Sequence, residues 1–291
     1  MPMTTARTHG RTRRSLITAA VLGLVAVIPL SGSMQAAATP APAAAPAPAV
    51  SSKLPRPTVV LVHGAFADAS SWGEVVTRLQ ERGYRVVAPA LAMRGLTSDS
   101  EYLASLLAQI KGPVVLAAHS YGGAVISNAA TRATNVKALV FVNAFATKEG
   151  EVLSKVESGS TDSALNPALQ QLTYPTGPST TAVELLVDPA KFPAVFGGDL
   201  PYAQGRLLAA TQRPIAASAF NEPAGPPAWK RLPSWAVVAT GDKAAGTDIT
   251  LAMAKRAHAH ITEVEGSHLI MISRPDVVTD VILQAIRGRR P

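Results

Sequence analysis

The 291-residue chain contains no cysteine, so no disulfide can staple it, and its stability has to come from core burial. Aromatic residues make up only 5% of it, and nowhere do they interleave with basic clusters, which argues against a nucleic-acid partner. No internal repeat is present. Histidines number six, and no pair of them has metal-ligand spacing: His258 and His260 stand two apart at an expected helix end and do not share a helical face. The longest apolar run, Leu16 to Leu30, is too short for a comfortable membrane span.

That run is preceded by Arg11, Arg13 and Arg14 and followed by Ala36-Ala37-Ala38, a small-x-small cleavage site. Residues 1–38 therefore read as a signal peptide cut after Ala38, which would make the protein secreted or periplasmic; an uncleaved amino-terminal anchor is the alternative. Thr12-Arg13-Arg14-Ser15-Leu16 loosely fits a twin-arginine signal. Four arginines and no acid lie in this stretch, so the net charge of +8 falls to +4 without it. Residues 39–57, rich in Ala and Pro, read as a semi-extended linker with no core-forming capacity. Arg287, Arg289 and Arg290 form a basic carboxyl tail. No span is expected to hold the mature protein in a membrane, and the sequence carries no signal for oligomeric state.

From residue 58 short apolar strands alternate with helices. Strands are expected at Thr58–Val62, Arg85–Ala88, Val114–Ala118, Ala138–Val142, Trp235–Ala239 and Ile261–Val264. Helices are expected at Ser71–Arg82, Ser98–Ile110, from Gly122 through Arg132, and at Thr247–Ala257 and Pro275–Arg287. Ser98 with Glu101, and Ser273 with Asp276, have capping-box spacing. Such alternation predicts an α/β fold, a mostly parallel sheet flanked by helices, over residues 58–291. It breaks at about 149–231, a stretch dense in Pro, Gly, Ser and Thr with short helical patches such as Leu200 to Ala210. That stretch reads as an inserted, mainly helical cap over the carboxyl edge of the sheet.

The chain is organised around Pro113 to Ile126. Ser120 falls between an apolar run and a helix-compatible run, with Ala118 and Gly122 two residues to either side. This is the spacing of a nucleophile elbow, in which a strand turns sharply into a helix and a strained serine occupies the apex; Ala118 stands where glycine is usual. A serine hydroxyl needs a base, and the base needs a carboxylate to fix its tautomer. In elbow proteins the order is serine, acid, histidine. His268, in the loop after the last strand, is the candidate base. His119 must point away from the apex, and His63 suits a structural hydrogen bond. Asp242, just past strand Trp235–Ala239, is the favoured acid, with Asp248, which suits a helix start, and Glu149 as alternatives. Oxyanion donors would be the N–H groups of Tyr121 and of Ala65 in His63-Gly64-Ala65-Phe66.

Taken together, Val-His-Gly-Ala-Phe near 63, the elbow at 120, Phe-Val-Asn-Ala-Phe at 141, Thr-Gly-Asp-Lys at 240 and Glu-Gly-Ser-His at 265 resemble an α/β-hydrolase. Within that superfamily the chain is similar to the branch of plant methylesterases and hydroxynitrile lyases, from about Pro57 to Arg287. The resemblance implies an α/β-hydrolase fold with a helical cap, a Ser120–His268–Asp242 triad, and no metal or organic cofactor. A common superfamily pattern puts the acid three residues after the glycine, where this chain has Ala244. Lyases of the branch tend to carry threonine in place of the glycine of His-Gly and lysine after the catalytic histidine. Gly64 and Leu269 stand there instead, and so imply hydrolysis of a small-molecule ester. A lactonase, a lyase and a non-catalytic binding protein on the same scaffold are the alternatives. Phe192, Phe196, Tyr202 and Leu208 would line the substrate pocket or form the core of the cap.

Overall fold

The computed structural model describes residues 56–288. The expected signal peptide, nearly all of the expected linker, and Arg289 and Arg290 lie outside the described residues. The chain runs through β1 (Thr58–Val62), α1 (Gly73–Glu81), β2 (Val86–Val87), α2 (Leu96–Gln109), β3 (Val114–His119), α3 (Gly122–Ala129) and β4 (Val136–Val142). It then leaves the main sheet for α4 (Leu153–Glu157), β5 (Leu169–Gly177), β6 (Thr180–Val187), α5 (Phe192–Phe196), α6 (Tyr202–Thr211), β7 (Ile215–Ala216) and α7 (Ala217–Asn221). It returns with β8 (Ser234–Ala239), α8 (Thr247–Arg256), β9 (His260–Val264), α9 (Ile270–Ser273) and α10 (Pro275–Arg287).

The main sheet is parallel throughout, in the order β2-β1-β3-β4-β8-β9. Every residue of β1, β3 and β8 is buried. Their sequences are accordingly continuous apolar runs rather than alternating ones, because helices cover both faces. α1 buries Val75 and Leu79 and carries Glu74 in its first turn and Arg78 in its last, the charges its dipole favours. α10 has proline at its first position and ends on Gly288 at φ 62°, a left-handed stop. After β1 the chain moves outward to β2, then crosses back over β1 to β3. The sheet order thus reverses between β1 and β3, and a crevice opens there at the carboxyl ends of the strands.

Neither capping box forms. α2 starts at Leu96, before Ser98, and the Ser98 hydroxyl donates to the Gly95 carbonyl at 3.0 Å. Its exposed N-terminus is capped from far away: the Glu222 carboxylate accepts from Thr97 N–H at 2.8 Å. At α10, Pro275 fixes the start, and Ser273 belongs to the preceding α9.

The insertion between β4 and β8 contains four short helices and also a three-stranded antiparallel sheet, β5-β6-β7. The β5–β6 hairpin is absent from the sequence reading because β5 buries no residue fully, so no apolar alternation marks it. It is tethered by Arg94, which pairs with Glu184 at 2.6 Å and lies over the Tyr174 ring at 4.0 Å. Among the described residues no helix is long and apolar enough to cross a membrane.

Candidate active site

β3 ends at His119 and α3 begins at Gly122, so the turn between strand and helix consists of Ser120 and Tyr121. Ser120 is held at φ 52°, in the left-handed region, at a strain of roughly 1–3 kcal/mol. Its N–H donates to the Val142 carbonyl at 3.3 Å, and its own carbonyl accepts from Gly123 N–H at 2.9 Å and Phe145 N–H at 3.1 Å. These bonds to β4 and α3 over-determine the turn. A Cβ on Gly122 would lie 2.7 Å from the His63 carbonyl oxygen and 2.9 Å from that of Val62, so only glycine fits two residues beyond the serine. Ala118, two residues before it, is fully buried between Val62 and Phe141 of the flanking strands, and its methyl group is accommodated. Phe66 and Asn143, also non-glycine residues at positive φ, flank the elbow at 60° and 43°.

His268 and Asp242 come together. His268 Nδ1 lies 2.8 Å from Asp242 Oδ2, with both side chains almost completely buried. Asp242 Oδ1 accepts from Ala244 N–H at 2.9 Å and Ala245 N–H at 3.0 Å. A carboxylate with two backbone donors on one oxygen has the other left for the imidazole, which in the neutral ring puts the proton on Nδ1 and leaves Nε2 an acceptor. The alternative acids are elsewhere. Asp248 accepts from Ser160 Oγ at 2.6 Å and Thr161 N–H at 2.8 Å; burial would raise its carboxyl, but those hydrogen bonds outweigh it and hold it below the usual range. Glu149 is exposed.

The His268 ring lies 4.4 Å from the His119 ring and meets the Phe196 ring edge-on at 5.0 Å. Ser120 is 7% exposed. Its Oγ makes no hydrogen bond among the described residues, so the serine–imidazole contact is not closed here. Two side chains hold the backbone of His268: its carbonyl oxygen accepts from His119 Nε2 at 3.0 Å and from Asn143 Nδ2 at 3.1 Å. Asn143 also reaches the Ser267 carbonyl at 3.0 Å, and its Oδ1 accepts from Ala239 N–H at 2.7 Å. It thereby joins the end of β4 to β8 and to the histidine loop. Sequence reasoning passed over Asn143, although an asparagine closing an apolar strand is a residue type that tolerates positive φ.

The other histidines have structural places. His63 Nε2 accepts from Leu91 N–H at 3.0 Å, leaving Nδ1 to donate to the Gly64 carbonyl, also at 3.0 Å. Burial holds both His63 and His119 below the ordinary imidazole range, His119 most strongly, so both are neutral. The His260 ring packs against Trp235 at 5.2 Å, and His258 is exposed. Among the described residues no group of three His, Cys, Asp or Glu side chains is placed to hold a metal.

Among the described residues neither the Ala65 N–H nor the Tyr121 N–H has an acceptor. Tyr121 is anchored below the elbow: its hydroxyl donates to Asp99 Oδ2 at 2.9 Å, while Asp99 Oδ1 accepts from Met93 N–H at 3.2 Å. Burial, followed by the charge of Asp99, pushes the Tyr121 phenol up, and burial raises the Asp99 carboxyl. Aromatic rings wall the crevice. Phe66 meets Phe196 edge-on at 5.7 Å and stacks on Phe220 at 6.3 Å, and Phe192 stacks on Phe196 at 4.7 Å. Phe66, Phe192, Leu208 and Leu269 line a small apolar cavity at this wall. Tyr202, expected with them, does not line this cavity: it is 67% exposed, at the first position of α6.

Two relatives match about a third of the chain each. A carbendazim hydrolyzing esterase from Nocardioides sp. (strain SG-4G) is 31% identical over 107 residues, 32% of this chain and 44% of that protein. A pyrethroid hydrolase from Sphingobium wenxiniae is 36% identical over 104 residues, 32% of this chain and 37% of that protein. The chain thus spans less than half the length of either. Among solved structures, polyneuridine aldehyde esterase superposes with a TM-score of 0.66 at 22% identity, covering 79% of this chain and 99% of the other, which is a likeness of fold. The sequence model of the alpha/beta hydrolase family matches residues 59–281, which span the parallel sheet, the serine turn between β3 and α3, and the loops bearing Asp242 and His268. That match covers well over half of the chain, and the chain belongs to the alpha/beta hydrolase family.

Proposed function

We propose that this protein is an exported serine hydrolase that cleaves small to medium carboxylic esters through an acyl-enzyme. The observation that supports it most is the buried Asp242–His268 pair, 2.8 Å apart, at the strand edge where Ser120 is held at φ 52°. In this reading Ser120 Oγ attacks the ester carbonyl carbon while His268 Nε2 takes the hydroxyl proton. Asp242 holds the imidazole by Nδ1 and stabilises the cation that forms. The oxyanion is bound by the N–H groups of Ala65 and Tyr121, the latter at the start of α3 with the dipole of that helix behind it. The tetrahedral intermediate collapses as His268 returns its proton to the leaving alcohol. Water, deprotonated by the same imidazole, then attacks the acyl-serine, and the carboxylic acid departs. The Ser120–His268 contact closes in the substrate complex, where such contacts tighten.

Ester hydrolysis is favoured over lyase chemistry by Gly64 and Leu269. A Cβ on Gly64 would stand 2.6 Å from Ser120 Cβ, and Leu269 is buried, with its N–H on the Phe196 carbonyl at 3.1 Å. The carbendazim hydrolyzing esterase and the pyrethroid hydrolase that the chain resembles support the same reaction class. Export is part of the proposal and rests on residues 1–38 alone. The test is Ser120→Ala on a panel of p-nitrophenyl esters: turnover is expected to fall by roughly 10⁴–10⁶-fold. Undiminished turnover by the folded variant refutes the assignment.

A further inference from the structure

The histidine loop is held from two sides. On the sheet side are Asn143 and His119, both fully buried. On the other side is the insertion, through the turn that follows α5. Ser267 Oγ donates to the Asp199 carboxylate and lies 3.1 Å from the Phe196 carbonyl oxygen, which also accepts from Leu269 N–H. The residues immediately before and after His268 are therefore bound to one short stretch, Phe196 to Asp199, whose Phe196 ring rests on the imidazole. Gly266 leaves room for two side chains at once, since a Cβ there would collide with Ile270 Cδ1 and lie 2.9 Å from Asp199 Oδ2. Asp199 itself is exposed and lines a polar groove with Lys243 and Glu265. Burial would raise its carboxyl, but hydrogen bonds led by that of Ser267 hold it below the usual range, so it is ionised at neutral pH.

From this geometry we infer that Asp199 is a positioning residue, which sets the placement of the His268 imidazole through Ser267 and so links the insertion to the proton-transfer step. The inference rests on the proposed role of His268. A charge-assisted hydrogen bond from a serine hydroxyl is a strong anchor, and it ties a side chain of the insertion directly to this loop. A mobile imidazole loses alignment with Ser120 before it loses its fold, and a displacement of about 1 Å is enough for a loss of order 100-fold.

The test compares Asp199→Ala, Asp199→Asn, Ser267→Ala and the Asp199→Ala/Ser267→Ala double variant. Asp199→Ala leaves the sheet-side anchors in place and should lower kcat about 5–30-fold, less than that 1 Å loss, with KM unchanged within about twofold. Asp199→Asn, which keeps an acceptor, should recover part of the loss. Ser267→Ala should cost at least as much as Asp199→Ala, since it also removes the Phe196 contact, and the double variant should be no slower than Ser267→Ala, because the Asp199–Ser267 bond is already gone. The low-field proton resonance of His268 Nδ1–H should broaden in Asp199→Ala and persist in Asp199→Asn. Full kcat in Asp199→Ala, or losses that multiply in the double variant, would overturn the inference. If Ser120→Ala retains turnover, the reading of the site has failed, and the resonance alone then decides: an unchanged signal in Asp199→Ala sinks the link to Asp199 as well.

Discussion

Replacing Asp242 by asparagine tests the site at its most constrained point. The carboxylate serves three donors: Ala244 N–H and Ala245 N–H on Oδ1, and the imidazole on Oδ2. Asparagine has one acceptor oxygen and one amino group, so it must choose. With its oxygen at the Oδ1 place it keeps both backbone bonds, and its amino group donates to His268 Nδ1. Flipped, it keeps the imidazole bond but turns its own donors toward two buried N–H groups. Each buried donor left unsatisfied costs about 1–3 kcal/mol, so the first orientation wins by roughly 2–6 kcal/mol. In that orientation Nδ1 is an acceptor, the imidazole proton moves to Nε2, and the nitrogen that should receive the serine proton already carries one. The expected result is a folded protein whose kcat on a p-nitrophenyl ester falls by about 10⁴. Turnover and the thermal midpoint would be measured together, with nitrogen NMR of His268 reporting the tautomer. A folded Asp242→Asn enzyme retaining more than about a tenth of the wild-type kcat would refute the tautomer argument, because the predicted loss is far larger.

Gly64→Ala would place a methyl group 2.6 Å from Ser120 Cβ and 2.8 Å from His119 Nδ1, where carbon contacts want about 3.5–4.0 Å. A displacement of about 1 Å at the elbow should lower kcat roughly 100-fold, and a full-speed, folded variant would show that the crevice is looser than described. His63 and His119, buried with imidazoles held below their ordinary value of 6.5, bind fewer protons folded than unfolded once the pH drops beneath that value. Their contribution to stability is therefore complete above about pH 6.5 and declines below it, by up to about 1.4 kcal/mol per pH unit for each. The carboxyls of Asp99 and Glu157, raised by burial, act with the opposite sign at lower pH. Urea unfolding followed from pH 7.5 to 5.5 reads the net slope, and stability that does not fall toward pH 5.5 contradicts the neutral buried imidazoles. Finally, protein recovered from the medium or periplasm should begin at Thr39; a start at Met1 or Pro2 there rejects the cleavage site.

The parallel strands were legible because burial on both faces leaves a run that nothing else explains. Thr58–Val62 was placed to the residue, and the elbow followed from the small side chains at 118 and 122. Asp242 and His268, 26 residues apart in sequence, were brought to one edge by the strand that each follows. What stayed hidden depends on distant partners. The cap on α2 comes from Glu222, and no local pattern at Ser98 could announce it. Both Asn143 and Asp199 act on a loop more than 60 residues away, and a single sequence has no signal for such pairings. The hairpin β5–β6 escaped for another reason: β5 buries no residue fully, so it has no buried face to write into its residues.

Because Ser120, Asp242 and His268 all hang from the main sheet, exchanging the segment between β4 and β8 for that of another family member looks like a free choice of substrate preference. The Phe196–Asp199 turn makes it conditional. A chimera whose donor segment brings no acceptor to Ser267 would inherit a new pocket together with a loosened His268, and on the proposed mechanism its slow turnover would be misread as poor substrate fit. Carrying that short turn across with the sheet, rather than with the transplanted segment, would let the two effects be told apart.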